Sequence, residues 1–128
     1  MKIWLDDQLD VPDLPRRHTP PGWVGAKNAY EFKKLITEAV EKGEEIEGID
    51  FDNDLGEEIE GRHLMKWLID TFPEVAMDTI MLVHTENPEA RAEMAKLIRD
   101  CREHPQELLE KKNRPSYENL FTETDKLK

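Results

Sequence analysis

The sequence predicts an α/β domain built around a parallel sheet, and three observations support that fold class. First, short apolar runs alternate along the chain with segments whose apolar residues recur at helical spacing. Second, polar residues directly follow three of those runs, as they do at the active edge of a parallel sheet. Third, the chain has 128 residues, 38% of them apolar and 37% charged, which suits one soluble domain with one modest core.

Two short strands separated by a loop are expected at the start of the chain. Lys2–Leu5 is an apolar run that ends in two aspartates, which is typical of a buried strand followed by a loop. Residues 10–22 contain four prolines and should form an irregular loop, because proline removes a backbone donor and fixes the chain. Trp23–Lys27 is the candidate for the second strand.

A helix and a third strand follow this region. Asn28 and Glu31 form a capping-box pattern, and an apolar stripe at helical spacing comes after them. Gly43 supplies the stop signal of the helix. Ile46–Phe51 is then expected to form a strand that runs into a group of aspartates.

The second half of the chain continues the alternation. A second helix is expected over Arg62–Thr71 and should end before Pro73. Thr79–Val83 has the most strand-like composition in the chain. Asn87 and Pro88 then open a third helix as its cap and first-turn proline.

We place the domain at residues 1–102 and treat residues 103–128 as a C-terminal helix and tail extension. The periodic pattern weakens after Arg102, and the last segment is polar. Tyr117, Leu120 and Phe121 are candidate anchors for it.

Polar residues at the ends of the expected strands are the candidate functional site. They are Asp6 and Asp7, Asp52 and Asp54, and His84 and Thr85. Because parallel strands end at the same edge, these clusters should converge. Oxygen ligands of this kind suit Mg²⁺, and a histidine there can act as general acid or base. Thr85 and Asn87 precede a helix N-terminus, which attracts phosphate.

Simpler interpretations exist for each of these residues. The aspartates could be solvated loop residues, and His84 could be a hydrogen-bonded structural histidine. Asp50 interrupts an apolar run and is expected to be structural, bonded to nearby backbone. His63 and His104 are expected at the surface.

Two other site types fit the aspartates less well. A calcium loop starting at Asp50 would need glycine and glutamate where the chain has Leu55 and Gly61. A haloacid-dehalogenase-type DxD nucleophile should follow the first strand, but here another acidic pair comes first.

Composition limits the partners and the compartment. The formal net charge of −11 disfavours broad, non-specific nucleic-acid binding, because an acidic surface repels a phosphate backbone. Cys101 is the only cysteine, so no intrachain disulfide can form, which suits a reducing compartment. With no signal-peptide core and no apolar run long enough to span a membrane, we expect a cytoplasmic protein without membrane association.

The strand-end residues resemble those of response-regulator receiver domains. In receivers an acidic pair follows the first strand, a phosphoacceptor aspartate the third, and serine or threonine the fourth. These positions fall on the Asp6-Asp7 pair, Asp52 and Thr85. The resemblance is incomplete, because receivers also have a lysine after a fifth strand and nothing after Thr85 matches it. A stable aspartyl-phosphate switch is therefore the third choice of function.

The chain is more similar to the cyclic-phosphate-processing receiver-like family. That family carries the motifs LDD-x-R, P-x-G-W, LDHDLG and VHSxNP, and this chain has LDDQL, PPGW, FDNDLG and VHTENP. Arg91 and Met94 also lie where the family has arginine and methionine. The match spans roughly residues 3–98. Leu9 and Asn53 depart from it, since the family has arginine and histidine at those positions.

The resemblance implies a compact, flavodoxin-like three-layer sandwich around a reduced, mostly parallel four-stranded sheet, in the order 2-1-3-4. It also implies a metal-dependent phosphoesterase that acts on a cyclic phosphate, such as a 2′,3′-cyclic end of RNA or a nucleotide. The expected ligands of Mg²⁺ or Mn²⁺ are Asp6, Asp7, Asp52 and Asp54; the expected catalytic residues are His84, Asp52 and Thr85; and the expected phosphate-binding residues are Thr85, Asn87 and Arg91. The alternative is a non-catalytic receiver-like binding module whose acidic surface engages a basic protein partner.

Overall fold

The computed structural model describes residues 1–9 and 19–103 of the chain. Four strands in these ranges form one sheet: β1 (Lys2–Leu5), β2 (Val24–Ala26), β3 (Gly48–Phe51) and β4 (Ile80–Val83). All pairs are parallel and the strand order is β2-β1-β3-β4. The expected α/β fold and strand order are therefore confirmed.

The first helix, α1 (Ala29–Lys42), has the predicted ends. The side chain of Asn28 accepts a hydrogen bond from the backbone N–H of Glu31 at 2.9 Å. The helix ends at Gly43, whose φ of 68° is a left-handed conformation that glycine adopts without steric cost.

The region between β3 and β4 contains two helices where one was expected. These are α2 (Gly61–Thr71) and α3 (Pro73–Asp78). Pro73 does stop α2, but it also occupies the first turn of α3, where its missing N–H has no helical partner to lose. The last described helix is α4 (Pro88–Glu103).

The helices cover one face of the sheet. That face presents the alternate strand residues Ile3, Leu5, Ile49, Phe51 and Met81, all buried in one core with apolar side chains from α1, α2 and α4. The crossovers β2-α1-β3 and β3-α2-α3-β4 run in the same direction across the sheet, so right-handedness puts their helices on the same side. Helix α4 packs against α2 and α3 in that layer.

The opposite face carries the other alternate residues, which in register order are Lys2, Gly48 and Ile80, then Trp4, Asp50 and Leu82. In the part of the chain that the structure describes, a loop rather than a helix covers this face. Trp23 packs edge-to-face on Trp4, with ring centroids 5.7 Å apart, and lies near Gly48. Ile80 and Leu82 remain 61% and 47% exposed.

Several expectations fall outside the described residues. They concern most of the proline-rich loop, the candidate anchors Tyr117, Leu120 and Phe121, and His104. Within residues 1–9 and 19–103, no helix has both the length and the apolar character that crossing a membrane requires.

Candidate active site

Three predicted site residues, one directly after each of β1, β3 and β4, continue the backbone hydrogen bonding of the sheet by one residue. The backbone N–H groups of Asp6, Asp52 and His84 donate to carbonyl oxygens of neighbouring strands at 3.0, 3.0 and 2.9 Å. Because side chains alternate along a strand, the side chains of these residues share the face that carries Trp4 and Asp50. The sheet thus holds all three in a fixed relation.

The side chains of Asp6, Asp52 and His84 converge at this edge. One oxygen from each carboxylate and one ring nitrogen all lie within 4.8 Å of one another. Asp6 is 1% exposed and Asp52 8% exposed. A cavity of about 670 Å³ opens over them and is also lined by Asp7, Asp54, Thr85, Asn87, Trp4, Gln8 and Glu86. The expected convergence of the strand-end residues is confirmed for this group.

The imidazole of His84 is held on several sides. Its Nδ1 lies 2.7 Å from Oδ1 of Asp50, and its ring stacks on Trp4 with centroids 4.4 Å apart and planes inclined by 10°. Its buried Nε2 lies 3.4 Å from Oδ2 of Asp6, which is an ion-pair contact too long for a good hydrogen bond. Burial alone would lower the pKa of His84, but the carboxylates of Asp50 and Asp6 outweigh it and raise that pKa to about 9.

The carboxyl group of Asp52 has a pKa raised to about 6. Burial is the main cause, and the negative charges of Asp6 and Asp7 add to it. The backbone N–H of Asn53, which donates to Oδ1 of Asp52 at 2.8 Å, works in the opposite direction. The positive charge of His84 also lowers this pKa, but burial outweighs it, so ionising Asp52 remains costly in the metal-free protein.

The donor set fits a divalent cation. The buried carboxylates of Asp6 and Asp52 supply oxygen atoms that lie within 4.8 Å of each other. Oxygen ligands of this kind suit Mg²⁺ and Mn²⁺. A cation there would also offset the burial and the repulsion that raise the pKa of Asp52.

Asp7 and Asp54 line the cavity but lie outside the group of three. Oδ2 of Asp7 accepts a hydrogen bond from Nε2 of Gln8 at 3.3 Å. Asp54 is exposed, and its Oδ1 accepts from the backbone N–H of Gly56 at 3.1 Å. Their role as metal ligands stays a prediction.

The predicted phosphate-binding residues lie in the turn between β4 and α4 and in the first turn of α4. Oδ1 of Asn87 caps α4 by accepting from the backbone N–H groups of Glu89 and Ala90 at 3.1 and 3.2 Å. Arg91 donates twice to the carbonyl oxygen of Thr85, at 3.1 and 2.7 Å. Arg91 thus braces this turn and does not line the cavity. Its role in phosphate binding stays a prediction.

The two departures from the family pattern lie away from the cavity lining. Leu9 is 3% exposed and packs against Gly25. Asn53 is 1% exposed and anchors the start of α2: its Oδ1 accepts from the N–H of Arg62, and its Nδ2 donates to Glu60, both at 3.1 Å. Neither position supplies a functional side chain to the cavity.

Sequence reasoning missed two residues that contact His84. Asp50 was expected to bond to nearby backbone, but its carboxylate pairs with an imidazole 34 positions later. Trp4 was not among the candidate site residues, but it is half-buried and lines the cavity. Both lie on the same strand face as Asp6 and Asp52, so alternation from those aspartates was the signal that could have found them.

His63 is exposed, as expected, but its side chain also forms a hydrogen bond within the protein. Its Nδ1 accepts a hydrogen bond from the backbone N–H of Glu60 at 2.9 Å, at the start of α2. Through this contact His63 helps to fix the start of α2, next to the site.

Comparison with known proteins identifies the family. A family model described as the cyclic-phosphate processing receiver domain matches residues 1–100. Searches among curated proteins and among solved structures each gave no match. The matched range contains every strand of the described sheet and every residue of the cavity lining. The chain therefore belongs to the cyclic-phosphate processing receiver domain family.

Proposed function

We propose that this protein is a metal-dependent phosphoesterase that acts on a cyclic phosphate, such as a 2′,3′-cyclic end of RNA or a nucleotide. The observation that carries the proposal is the convergence of Asp6, Asp52 and His84 in one cavity, in a family named for cyclic-phosphate processing. The sheet edge fixes these groups before any ligand binds, which is what a catalytic site requires.

The cavity is too acidic to take a phosphate without a cation. Four aspartates line it, and each would repel the negative charge of the substrate. Asp6 and Asp52 would hold Mg²⁺ or Mn²⁺, with Asp7 and Asp54 close by. When bound, the ion would neutralise phosphate charge and lower the pKa of a water molecule.

His84 would supply a proton to the leaving oxygen. Its raised pKa keeps the imidazole protonated at neutral pH, and its Nε2 faces the cavity side that Asp6 and Asp52 occupy. The hydroxyl oxygen of Thr85 accepts from the N–H of Asn87 at 3.2 Å, so its hydrogen stays available to a phosphate oxygen. Asn87 fixes the start of α4 beside the same position.

The alternative is a binding module without catalysis. The formal net charge of −11 favours a basic protein partner, with the acidic cavity as part of the contact surface. This alternative does not require His84 to move a proton.

A hydrolysis assay separates the two. The purified protein is incubated with 2′,3′-cyclic mononucleotides and with RNA that ends in a cyclic phosphate, in Mg²⁺, Mn²⁺ or chelator. We expect metal-dependent hydrolysis that falls about 10²–10⁴-fold in His84→Gln, because a general acid contributes that much. Asp78→Asn, which removes an exposed carboxylate at the opposite edge of the sheet, is the control and should keep full activity. If folded, metal-responsive wild-type protein hydrolyses neither substrate, the phosphoesterase proposal is wrong.

A further inference from the structure

Asp50 lies on β3 in the middle of the sheet, two residues before Asp52. In ladder register it stands between Trp4 on β1 and Leu82 on β4, and all three side chains share the face that leads to the cavity. A carboxylate in a central strand between a tryptophan and a leucine is costly unless it is paired. Its partner is the Nδ1 atom of His84, at 2.7 Å.

Trp4 holds the same imidazole from another direction. Its indole ring lies nearly parallel to the His84 ring, at a centroid distance of 4.4 Å. Trp23 packs edge-to-face against the indole at 5.7 Å and limits its movement. Trp4 lies on β1 and His84 directly follows β4; since β3 lies between these two strands, the two rings meet above Asp50. The His84 ring therefore has one neighbour in its plane and another on its face.

These contacts decide which nitrogen of His84 is available. The two ring nitrogens are distinct, and the hydrogen bond of one sets the state of the other. A carboxylate oxygen accepts and a ring N–H donates, so we assign the hydrogen of this pair to Nδ1. Nε2 is then directed at the Asp6 and Asp52 carboxylates, where it has no other hydrogen-bond partner in the described ranges.

We propose that Asp50 is a positioning residue for His84: it keeps the hydrogen on Nδ1 and directs Nε2 toward the Asp6 and Asp52 carboxylates that line the cavity, while Trp4 fixes the plane of the ring. The catalytic part of this inference rests on the proposed function, because it assumes that Nε2 acts on the substrate. The structural part, which is the state of the ring, does not depend on any activity.

Nuclear magnetic resonance tests the structural part. The Nδ1-bound hydrogen of His84 should give a slowly exchanging downfield proton signal in the wild-type protein, and His84→Gln assigns it by its disappearance. We expect Asp50→Asn to lose the signal and Asp78→Asn to keep it. Trp4→Phe should keep it as well, because the partner of Nδ1 is unchanged. A wild-type spectrum without the signal overturns the proposal, and so does its retention in Asp50→Asn.

Kinetics test the catalytic part on the same variants. In Asp50→Asn we expect kcat to fall roughly 10²–10⁴-fold while KM changes little, as for other carboxylates that orient a catalytic histidine. A lost signal with unchanged kcat in active protein overturns the positioning role. If wild-type protein is inactive, the proposed function fails but the spectra still decide the state of the ring. Should Asp50→Asn not fold, Asp50→Ser is expected to lose the same signal, and the wild-type spectrum remains a test in itself.

Discussion

His84 is the residue at which burial and charge oppose each other most directly. Its side chain is only 20% exposed, which disfavours the imidazolium form. The carboxylates of Asp50 and Asp6, at 2.7 and 3.4 Å, favour that form and raise the pKa of His84 to about 9. The folded protein thus binds a proton at His84 more tightly than the unfolded chain does, which links stability to pH.

The stability of the metal-free protein should therefore fall as the pH rises from about 6.5 to about 9. The contribution of protonated His84 is complete below the unfolded pKa of about 6.5 and is lost as the pH passes the folded value. Urea unfolding in chelator at pH 6, 7.5 and 9.5 measures the free energy of unfolding as a function of pH. The free energy of unfolding should fall more in wild type than in His84→Gln. If the free energy of unfolding falls equally with pH in the two proteins, this role of His84 is contradicted.

The residues of the site differ in how far the sequence could predict them. Asp6, Asp52 and His84 directly follow apolar runs, so parallel pairing alone predicts that they meet. Asp50 and Trp4 contact His84 through the register of three strands, and register depends on how the whole sheet assembles. No local pattern in the sequence contains that information.

At the scale of elements, the link between β3 and α2 determines where Asp52 sits. Helix α2 begins so close to this link that a Cβ atom on Gly61 would overlap the carbonyl group of Asp52. The N–H of Gly61 donates to the carbonyl oxygen of Asn53 at 2.8 Å, which ties the helix start to the strand end. Gly61 is required here for close approach of two backbone segments.

Gly61→Ala should therefore disturb both stability and the site. We expect a loss of about 1–3 kcal/mol in the free energy of unfolding, as for overpacked positions, together with weaker stabilisation by divalent cations. Gly48→Ala is the matched control, because a Cβ there meets its nearest atoms at 3.6 and 3.8 Å, which is ordinary contact. It should be neutral or stabilising by up to about 1 kcal/mol. Urea unfolding with and without Mn²⁺ measures both, and equal behaviour of the two variants would contradict the argument.

The sequence predicted most elements because their signals are local. The Asn28 cap, the Gly43 stop and the Pro88 start all appear where expected. Helix α3 was missed, since Pro73 is a stop signal for one helix and a start signal for the next, and only the following residues decide between them. Leu9 and Asn53, the two departures from the family pattern, are buried away from the cavity, and this placement depends on tertiary packing.

For the whole molecule, the dominant electrostatic fact is the formal net charge of −11. Such a charge attracts divalent cations to the surface in general and destabilises the folded state by self-repulsion. Any measurement of metal stabilisation must therefore separate this general effect from binding at the site. Asp52 allows that separation, because its raised pKa marks a carboxylate whose ionised form costs stability in the metal-free protein.

Asp52→Asn should change stability in opposite directions with and without metal. In chelator at pH 7, wild-type Asp52 is ionised above its pKa of about 6, whereas the unfolded chain ionises near 3.8, so ionisation has already cost stability. Asparagine avoids that cost, and the variant should melt higher than wild type. In Mn²⁺ or Mg²⁺ at about 100 times the dissociation constant, the free energy of unfolding of the wild type should rise by about 2.7 kcal/mol, which raises its melting temperature by roughly 10 °C. The same quantities should change little in the variant.

Asp78→Asn has the same net charge as Asp52→Asn, since each removes one carboxylate, and it should respond to metal as wild type does. Calorimetry at constant ionic strength, set with NaCl, measures all three proteins. If general attraction to an acidic surface explains the metal effect, both variants will gain equally in Mn²⁺. A selective loss in Asp52→Asn, with a higher melting temperature in chelator, instead locates the cation at Asp6 and Asp52, whose carboxylate oxygens lie within 4.8 Å of each other at the sheet edge.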